Sequence, residues 1–311
     1  MLKKIISVLL FLAALFSLSG CDGSQNLRRV GGRRFDIGYS IDLKDDLIYL
    51  TSNDGFYIYS LANPTKPARL GAFEAEPSFG IFVKDEVVYL ASSSQLITVD
   101  VSAPASPVRM GAYRMEGVAQ AAAVQDQYAY LGGSSGLYVL DVSDPSAPAL
   151  AAQFAQGQEV SGLEIKDSIL YAAVPSRGVQ LFDLSDPLSP ALVATVGGTR
   201  GVVDIHIGDQ LLYAACHQGG VKIIDVSDLD HPSTIGSFWD DDGGEALALW
   251  EEGGTLFVAD NFRIEVLDMQ DPAHPQEIGE YSRVSAAHDL VGNGPYLYIA
   301  AQGLIVLRWD P

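Results

Sequence analysis

Seven times along this chain an aromatic residue closes a short apolar run: Tyr49, Tyr89, Tyr130, Tyr171, Tyr213, Phe257 and Tyr298. Successive intervals are 40, 41, 41, 42, 44 and 41 residues, and the flanking text is similar in every copy. A fixed period of this length marks a repeat architecture, in which one supersecondary unit is stacked several times. The copy around Tyr130 is representative. A small-residue run from Gln120 meets a turn at Gln125-Asp126, and a second run passes through Tyr130. A Gly/Ser turn leads to Leu137–Val142, Asp-Pro punctuation ends that run, and a weaker one covers Ala149–Phe154. Runs rich in Val, Ile, Leu and Tyr, bounded by Gly, Asp, Ser and Pro, read as strands. Beyond the first twenty residues no window sustains a 3.6-residue apolar period.

Four strands per unit at this period predict an all-β fold, a seven-bladed β-propeller of four-stranded antiparallel blades. Helical repeats of similar length would be broken by the recurring Asp-Pro-x-x-Pro text. Near-continuous apolar third strands, such as Val221-Lys222-Ile223-Ile224, suit sheets covered on both faces. The ends carry an internal check. The seventh copy stops at Arg308-Trp309-Asp310-Pro311 without a fourth run, while Leu27–Gly32 resembles the fourth-strand text Leu192–Gly198. The N-terminal segment is therefore expected to complete blade seven and close the ring, removing an open sheet edge.

Several copies also resemble the LVIVD repeat: Leu140-Asp141-Val142-Ser143-Asp144-Pro145 with Pro148, Phe182-Asp183-Leu184-Ser185-Asp186-Pro187 with Pro190, and Ile224-Asp225-Val226-Ser227-Asp228 with Pro232. Ala287-His288-Asp289-Leu290 ahead of Tyr298 resembles the first-strand text of the same family. The likeness runs over the mature chain and implies a propeller of bacterial or archaeal surface and exported proteins. Copy one departs from it, with Ser60-Leu61-Ala62-Asn63-Pro64 in place of the Asp-bearing text. Trp239-Asp240 and Trp309-Asp310 fall at different repeat positions, which makes WD40 repeats a poorer match.

Residues 1–20 form a separate unit: Lys3 and Lys4, an apolar run from Ile5 to Phe16, then Leu18-Ser19-Gly20 before Cys21. This is the layout of a secretory signal rather than a membrane span. Leu-Ser-Gly-Cys resembles a bacterial lipobox, which implies cleavage before Cys21 and its lipidation by a diacylglycerol and usually a further acyl chain, palmitate-like in length. Two or more chains anchor stably where one is marginal. Residues 21–26 then form a short tether and 27–311 the propeller. Asp22 resembles the inner-membrane retention signal of enteric lipoproteins, so either envelope membrane is open. With Cys21 so assigned, only Cys216 remains and no intramolecular disulfide is expected. The excess of 39 acidic over 19 basic residues makes a surface expected to repel phosphate backbones and anionic lipid headgroups, which disfavours nucleic acid.

Residues that recur build the scaffold. Asp100, Asp141, Asp183, Asp225 and Asp268 stand at one repeat position, and as turn formers they bind nearby amides. Positions where copies differ are the functional candidates. Loops on a rigid scaffold carry binding, and propeller geometry places Arg34, Arg114, Glu159, Arg177, Arg200, His217, Trp239, Asp240, Asp260 and Arg283 on one loop-rich face. A second set, Asp42, Glu164, Asp204, His206, His288 and Asp289, falls on the first strands and is expected to line the central channel. These residues suit a cation or polar ligand, wetting of the channel, or Asp–His pairs that satisfy one another. The run Asp240–Glu245 is oxygen-rich enough for Ca²⁺ but lacks the alternating ligand spacing of an EF-hand. Cys216-His217 are neighbours whose side chains alternate in a strand, which works against a thiolate–base pair. No catalytic motif, phosphate loop or haem text occurs. The sequence therefore favours a lipid-anchored envelope interaction or scaffold module with an envelope protein or glycan partner and no recognised cofactor. The alternatives are an exported hydrolase or lyase, or a glycan or small-ligand binder, acting through the channel Asp and His residues.

Overall fold

The computed structural model describes residues 26–239 and 244–311, the side chains of residues 34–36 excepted. The signal segment, Cys21, the Arg34 side chain and Asp240 lie outside the described residues. Among these residues every regular element is a strand, and no helix is long and apolar enough to cross a membrane.

Five four-stranded antiparallel sheets follow one another along the chain, starting at Ser78, Ala119, Gly162, Asp204 and Ala248. A sixth sheet has six strands in the order Asp289–Asn293, Tyr296–Trp309, Leu27–Lys44, Leu47–Ser52, Gly55–Ser60, Ala68–Glu74. Its centre is the long strand Leu27–Lys44. The first half lies antiparallel to the end of the chain, with Leu27 opposite Trp309 and Arg33 opposite Leu304. The second half pairs with Leu47–Ser52, with Asp42 opposite Tyr49.

The repeat aromatics sit at equivalent places. Tyr89, Tyr130, Tyr171, Tyr213, Phe257 and Tyr298 occupy second strands opposite Phe82, Ala123, Glu164, His206, Trp250 and Val291 of the first strands. All seven aromatics are buried, because both faces of a second strand are covered by neighbouring sheets. Tyr49, Phe56 and Ile58 of one sheet pack on Ile81, Val88 and Leu90 of the next, and Tyr130, Leu137 and Val139 pack likewise on Val160, Leu170 and Ala172. Apolar clusters between sheets thus replace a single central core.

Local chemistry sets the recurring corners. Asp100, Asp141, Asp183, Asp225 and Asp268 each accept the backbone N–H two residues on, at 2.7 to 2.9 Å. This is the turn-fixing role expected of them. Each corner then seats against the preceding sheet at a small residue. A Cβ on Gly71 would fall 2.1 Å from the Pro104 carbonyl oxygen, and one on Gly236 would fall 2.1 Å from that of Pro272. Gly31 makes the same contact, its Cβ position lying 2.0 Å from the Thr65 oxygen.

Outer strands carry a bulge one residue before this seat, one extra residue against the third strand. The extra residues are Leu70, Met110, Ala151, Val193, Ile235 and Ile278. Val30 occupies the corresponding place between Arg29 and Gly31. First strands contact one another in sequence order, and Asp289–Asn293 also touches Leu27–Lys44. Their inward sides surround a central channel.

Candidate functional site

The channel encloses a cavity of about 420 Å³ bounded by all the first strands. Asp42, Glu164, Asp204, His206, His288 and Asp289 all line it, together with Tyr39, Phe79, Phe82 and Trp250. Among the described residues no Lys or Arg lines it. Two registers alternate down the wall. Ser40, Gly80, Asp204 and Asp289 belong to one, and Asp42, Phe82, Glu164, His206 and Trp250 to the other, two residues further along their strands.

Each of the four carboxylates reaches sideways to the neighbouring first strand. Asp42 Oδ2 accepts the Val83 N–H at 2.7 Å, and Glu164 Oε2 accepts the Ile207 N–H at 2.7 Å. Asp204 Oδ2 accepts the Leu249 N–H at 3.2 Å. Asp289 Oδ2 accepts both the Ile41 N–H and the Ser40 hydroxyl at 2.9 Å. The donor always stands one residue past the position equivalent to the acid in the next repeat. First strands are the inner edges of their sheets, and these outward N–H groups have no ladder partner, so the carboxylates cap them. Asp42 Oδ1 and Asp289 Oδ1 also accept the following amides, Leu43 at 2.7 Å and Leu290 at 2.8 Å. Lysines add a second latch at the strand ends, where Lys84 Nζ donates to the Asp126 carbonyl at 2.8 Å and Lys166 Nζ to that of Gly208 at 2.5 Å.

Burial governs the titration of these groups. It pushes the Asp42 and Asp289 carboxyls up to about 6, against the lowering effect of their backbone donors. Asp204 is raised well above the usual carboxylate range, first by burial and then by repulsion from Asp289 and Glu164. Burial also holds His288 below its ordinary value. His206 Nδ1 lies 3.3 Å from Glu164 Oε1, and its ring is 5.0 Å from that of Trp250. The Asp–His pairs expected in the channel are replaced, among the described contacts, by a Glu–His pair, Glu164–His206. Among the described residues no group of three or more His, Cys, Asp or Glu side chains is placed to hold a metal. At one mouth Tyr39 meets Phe79 edge-on at 5.2 Å and His288 at 5.6 Å.

The loop-face residues are less uniform. Arg114, Glu159, Arg177, Arg200 and Arg283 are exposed, with Glu159 accepting a hydrogen bond from Gln120 at 2.9 Å. His217 sits in a turn at positive φ, with Nδ1 3.7 Å from Glu245. Glu245, the described end of the acidic run considered for Ca²⁺, accepts from Gln218 and Asn261 at 3.2 and 3.1 Å. Asp260 does not stand on the surface. It is 2% exposed, its Oδ1 accepts the amides of Phe262 and Arg263 at 2.5 and 2.7 Å, and Oδ2 lies 3.2 Å from the Arg263 guanidinium. A carboxylate with two local donors and its own cation stabilises a turn and is not available to a ligand. Two aromatics are open to solvent instead: Trp239 at 50% and Phe262, which no repeat comparison singles out, at 65%. Cys216 is buried, and burial pushes its thiol up to about 11, far from a reactive thiolate.

The LVIVD repeat model matches residues 79–115, 116–155, 200–240 and 243–283, just over half of the chain. No curated protein matches. The β-propeller domain of Cps50 (Swd1) from Myceliophteria thermophila is similar in fold, with a TM-score of 0.75 at 9% identity over 91% of this chain and 100% of that one. The computationally designed Ika8 protein is also similar, with a TM-score of 0.66 at 11% identity over 92% of this chain and 100% of that one. These likenesses show a β-propeller.

Proposed function

Because this chain belongs to the LVIVD repeat family and its repeats form a β-propeller, we propose that it is a lipid-anchored scaffold of the bacterial cell envelope, holding a protein partner on its loop-rich face. In this reading residues 1–20 are removed, Cys21 carries the lipid and 22–26 are the tether, on either the inner or the outer membrane. The propeller has seven blades, and the N-terminal strand supplies the outer strand of the seventh. Three facts support that closure: the antiparallel pairing of Leu27–Arg33 with Leu304–Trp309, the bulge at Val30, and the seating of Gly31 against Thr65.

The observation that carries the choice of function is the use made of the channel acids. All four accept backbone N–H groups of the adjacent sheet, which ties the sheets together and engages the oxygens an acid–base site requires free. Binding is then left to the loops. Trp239 and Phe262, among flanking residues such as Arg200 and His217, are of the types that anchor protein interfaces.

Photo-crosslinkers placed singly at 239 and at 262 in growing cells test this reading. The expected result is a discrete envelope-protein adduct from each position, weakened when the other aromatic is replaced by alanine. An absence of specific adducts overturns the scaffold reading. So does turnover of a glycan, lactone or phosphoester that is abolished by Asp204→Ala or His288→Ala.

A further inference from the structure

We propose that the outer edge formed by Leu27–Arg33, Ala68–Glu74 and Val108–Arg114 rests on anionic lipid headgroups, so that the propeller stands edge-on to its membrane. This rests on the anchor reading above and adds the orientation. Net charge alone argues against such a contact, but the charge is not evenly spread.

Outer strands differ sharply in their cations. Arg28, Arg29, Arg33, Arg69, Arg109 and Arg114 fall in these three neighbouring outer strands, with Glu74 the single acid among them. The outer strands Ala149–Phe154, Ala191–Val196, Ser233–Phe238 and Gln276–Tyr281 hold no Arg or Lys, and the last carries Glu277 and Glu280. All six arginines are exposed. Arg28 shares Asp310 with Arg308, while Arg29 and Arg33 donate to the neutral carbonyls of Gly31 and Pro67. Between the arginines stand exposed aliphatic side chains: Leu70 and Met110 at the bulges, and Val108 at 60% exposure. A strip mixing cations with aliphatic groups is the composition that settles at a bilayer interface.

The surroundings set the orientation. The turns that end the first strands expose Asp45, Asp46, Asp85, Glu86, Asp126 and Asp167, a face that anionic headgroups repel. The Asp-bearing corners share that end of the sheets, and the corner from Ser60 to Pro67 differs by having no acid and carrying Lys66. That corner is the one seated on the N-terminal strand, through Gly31 and Thr65. Asn26 is held there by the Asp310 amide, which donates to its carbonyl at 2.8 Å. Cys21 precedes Asn26 by five residues, so the lipid attachment lies within about 18 Å of this edge, at roughly 3.6 Å per extended residue. The tether thus brings to the membrane a part of the rim where, among the described outer strands, cations outnumber acids.

The test uses the full chain, lipidated in a bacterial host and reconstituted into phosphatidylcholine vesicles with or without phosphatidylglycerol, with a quencher carried by the lipid. Fluorophores are attached through Ser106→Cys, at the corner leading into Val108–Arg114, or Ser233→Cys, on an outer strand without cations. The buried Cys216 does not compete for the label. The expected result is quenching at 106 about two- to threefold stronger than at 233 on phosphatidylglycerol vesicles, as short-range attraction to the charged surface requires. The difference collapses in high salt and in the Arg28→Glu/Arg69→Glu/Arg109→Glu chain, which still pellets with the vesicles. The salt arm needs no substitution and stands even if that chain folds poorly. Equal quenching at both positions, or a difference that persists without phosphatidylglycerol or in high salt, overturns the orientation while leaving the anchor intact. A chain that does not pellet overturns the anchor, and this proposal with it.

Discussion

Asp42 gives the sharpest test of the role assigned to the channel acids. Its carboxyl bridges two sheets, and burial raises it from 3.8 to about 6. The folded state therefore holds a proton that the unfolded chain releases at lower pH. The resulting stabilisation is fully present below pH about 4 and is lost as pH rises through about 6. A shift of this size corresponds to about 3 kcal/mol at 1.36 kcal/mol per pH unit, an upper figure because Asp42 keeps part of its surface toward the channel. Asp289 shifts in the same direction and to a similar value, and the two repel each other, so their contributions do not simply add. The corner acids Asp100, Asp141, Asp144, Asp225, Asp228 and Asp271 are held below the usual range, chiefly by hydrogen bonds from neighbouring residues. Their contribution is lost only as pH falls below about 4. His288, lowered by burial, favours the fold above its ordinary value and opposes it below, which blunts the change near pH 6. Urea denaturation from pH 3 to 8 is therefore expected to show a stability maximum near pH 4 to 5 and a decline toward pH 7. Asp42→Asn should flatten that decline by up to about 3 kcal/mol, while losing one acceptor at Val83 or Leu43 at a cost of about 1 kcal/mol. A wild-type stability that rises between pH 4 and 6, or a slope unchanged in Asp42→Asn, would refute the assignment.

Other expectations follow from the same contacts. Leu27→Ala, which empties a buried site against the last strand, is expected to cost about 2–5 kcal/mol by chemical denaturation. Gly31→Ala drives a Cβ into the Thr65 carbonyl and should lower stability by about 1–3 kcal/mol, whereas Gly197→Ala, with open space around it, should be neutral within about 0.5 kcal/mol. Cys216 should resist thiol reagents at pH 8 in the native state and react at once in denaturant, because its thiol is buried and raised. Trp239→Ala with Phe262→Ala should leave the melting temperature within about 1 °C, since exposed side chains contribute little to folding.

Much of this architecture was legible because each copy repeats the same local chemistry. The aromatic spacing located the second strands. The Asp that ends five of the third strands read correctly as a turn former, since its donor is only two residues away. Five of the six channel residues could be placed on first strands, and His288 immediately before one, because each strand pairs closely with the aromatic-bearing one after it. The bonds that occupy them were not legible. The Asp42 acceptor and the Val83 donor are 41 residues apart, and only the packing of adjacent sheets joins them. Asp260 misled because its copy differs from the rest, although Arg263 three residues on carried a local hint of the pair. Phe262 escaped notice because no other copy has an aromatic there to compare. Net charge, a sum over the whole surface, concealed an edge where arginines dominate.

The central claim is a closed propeller in which the first strand completes the last sheet. Native-state hydrogen exchange on the intact chain tests it most directly, because local opening and global unfolding are resolved segment by segment. Amides within Leu27–Arg33 are expected to exchange as slowly as those of Leu304–Trp309, both limited by global unfolding. Exchange of Leu27–Arg33 at the rate of a frayed terminus, with Leu304–Trp309 still protected, would contradict it.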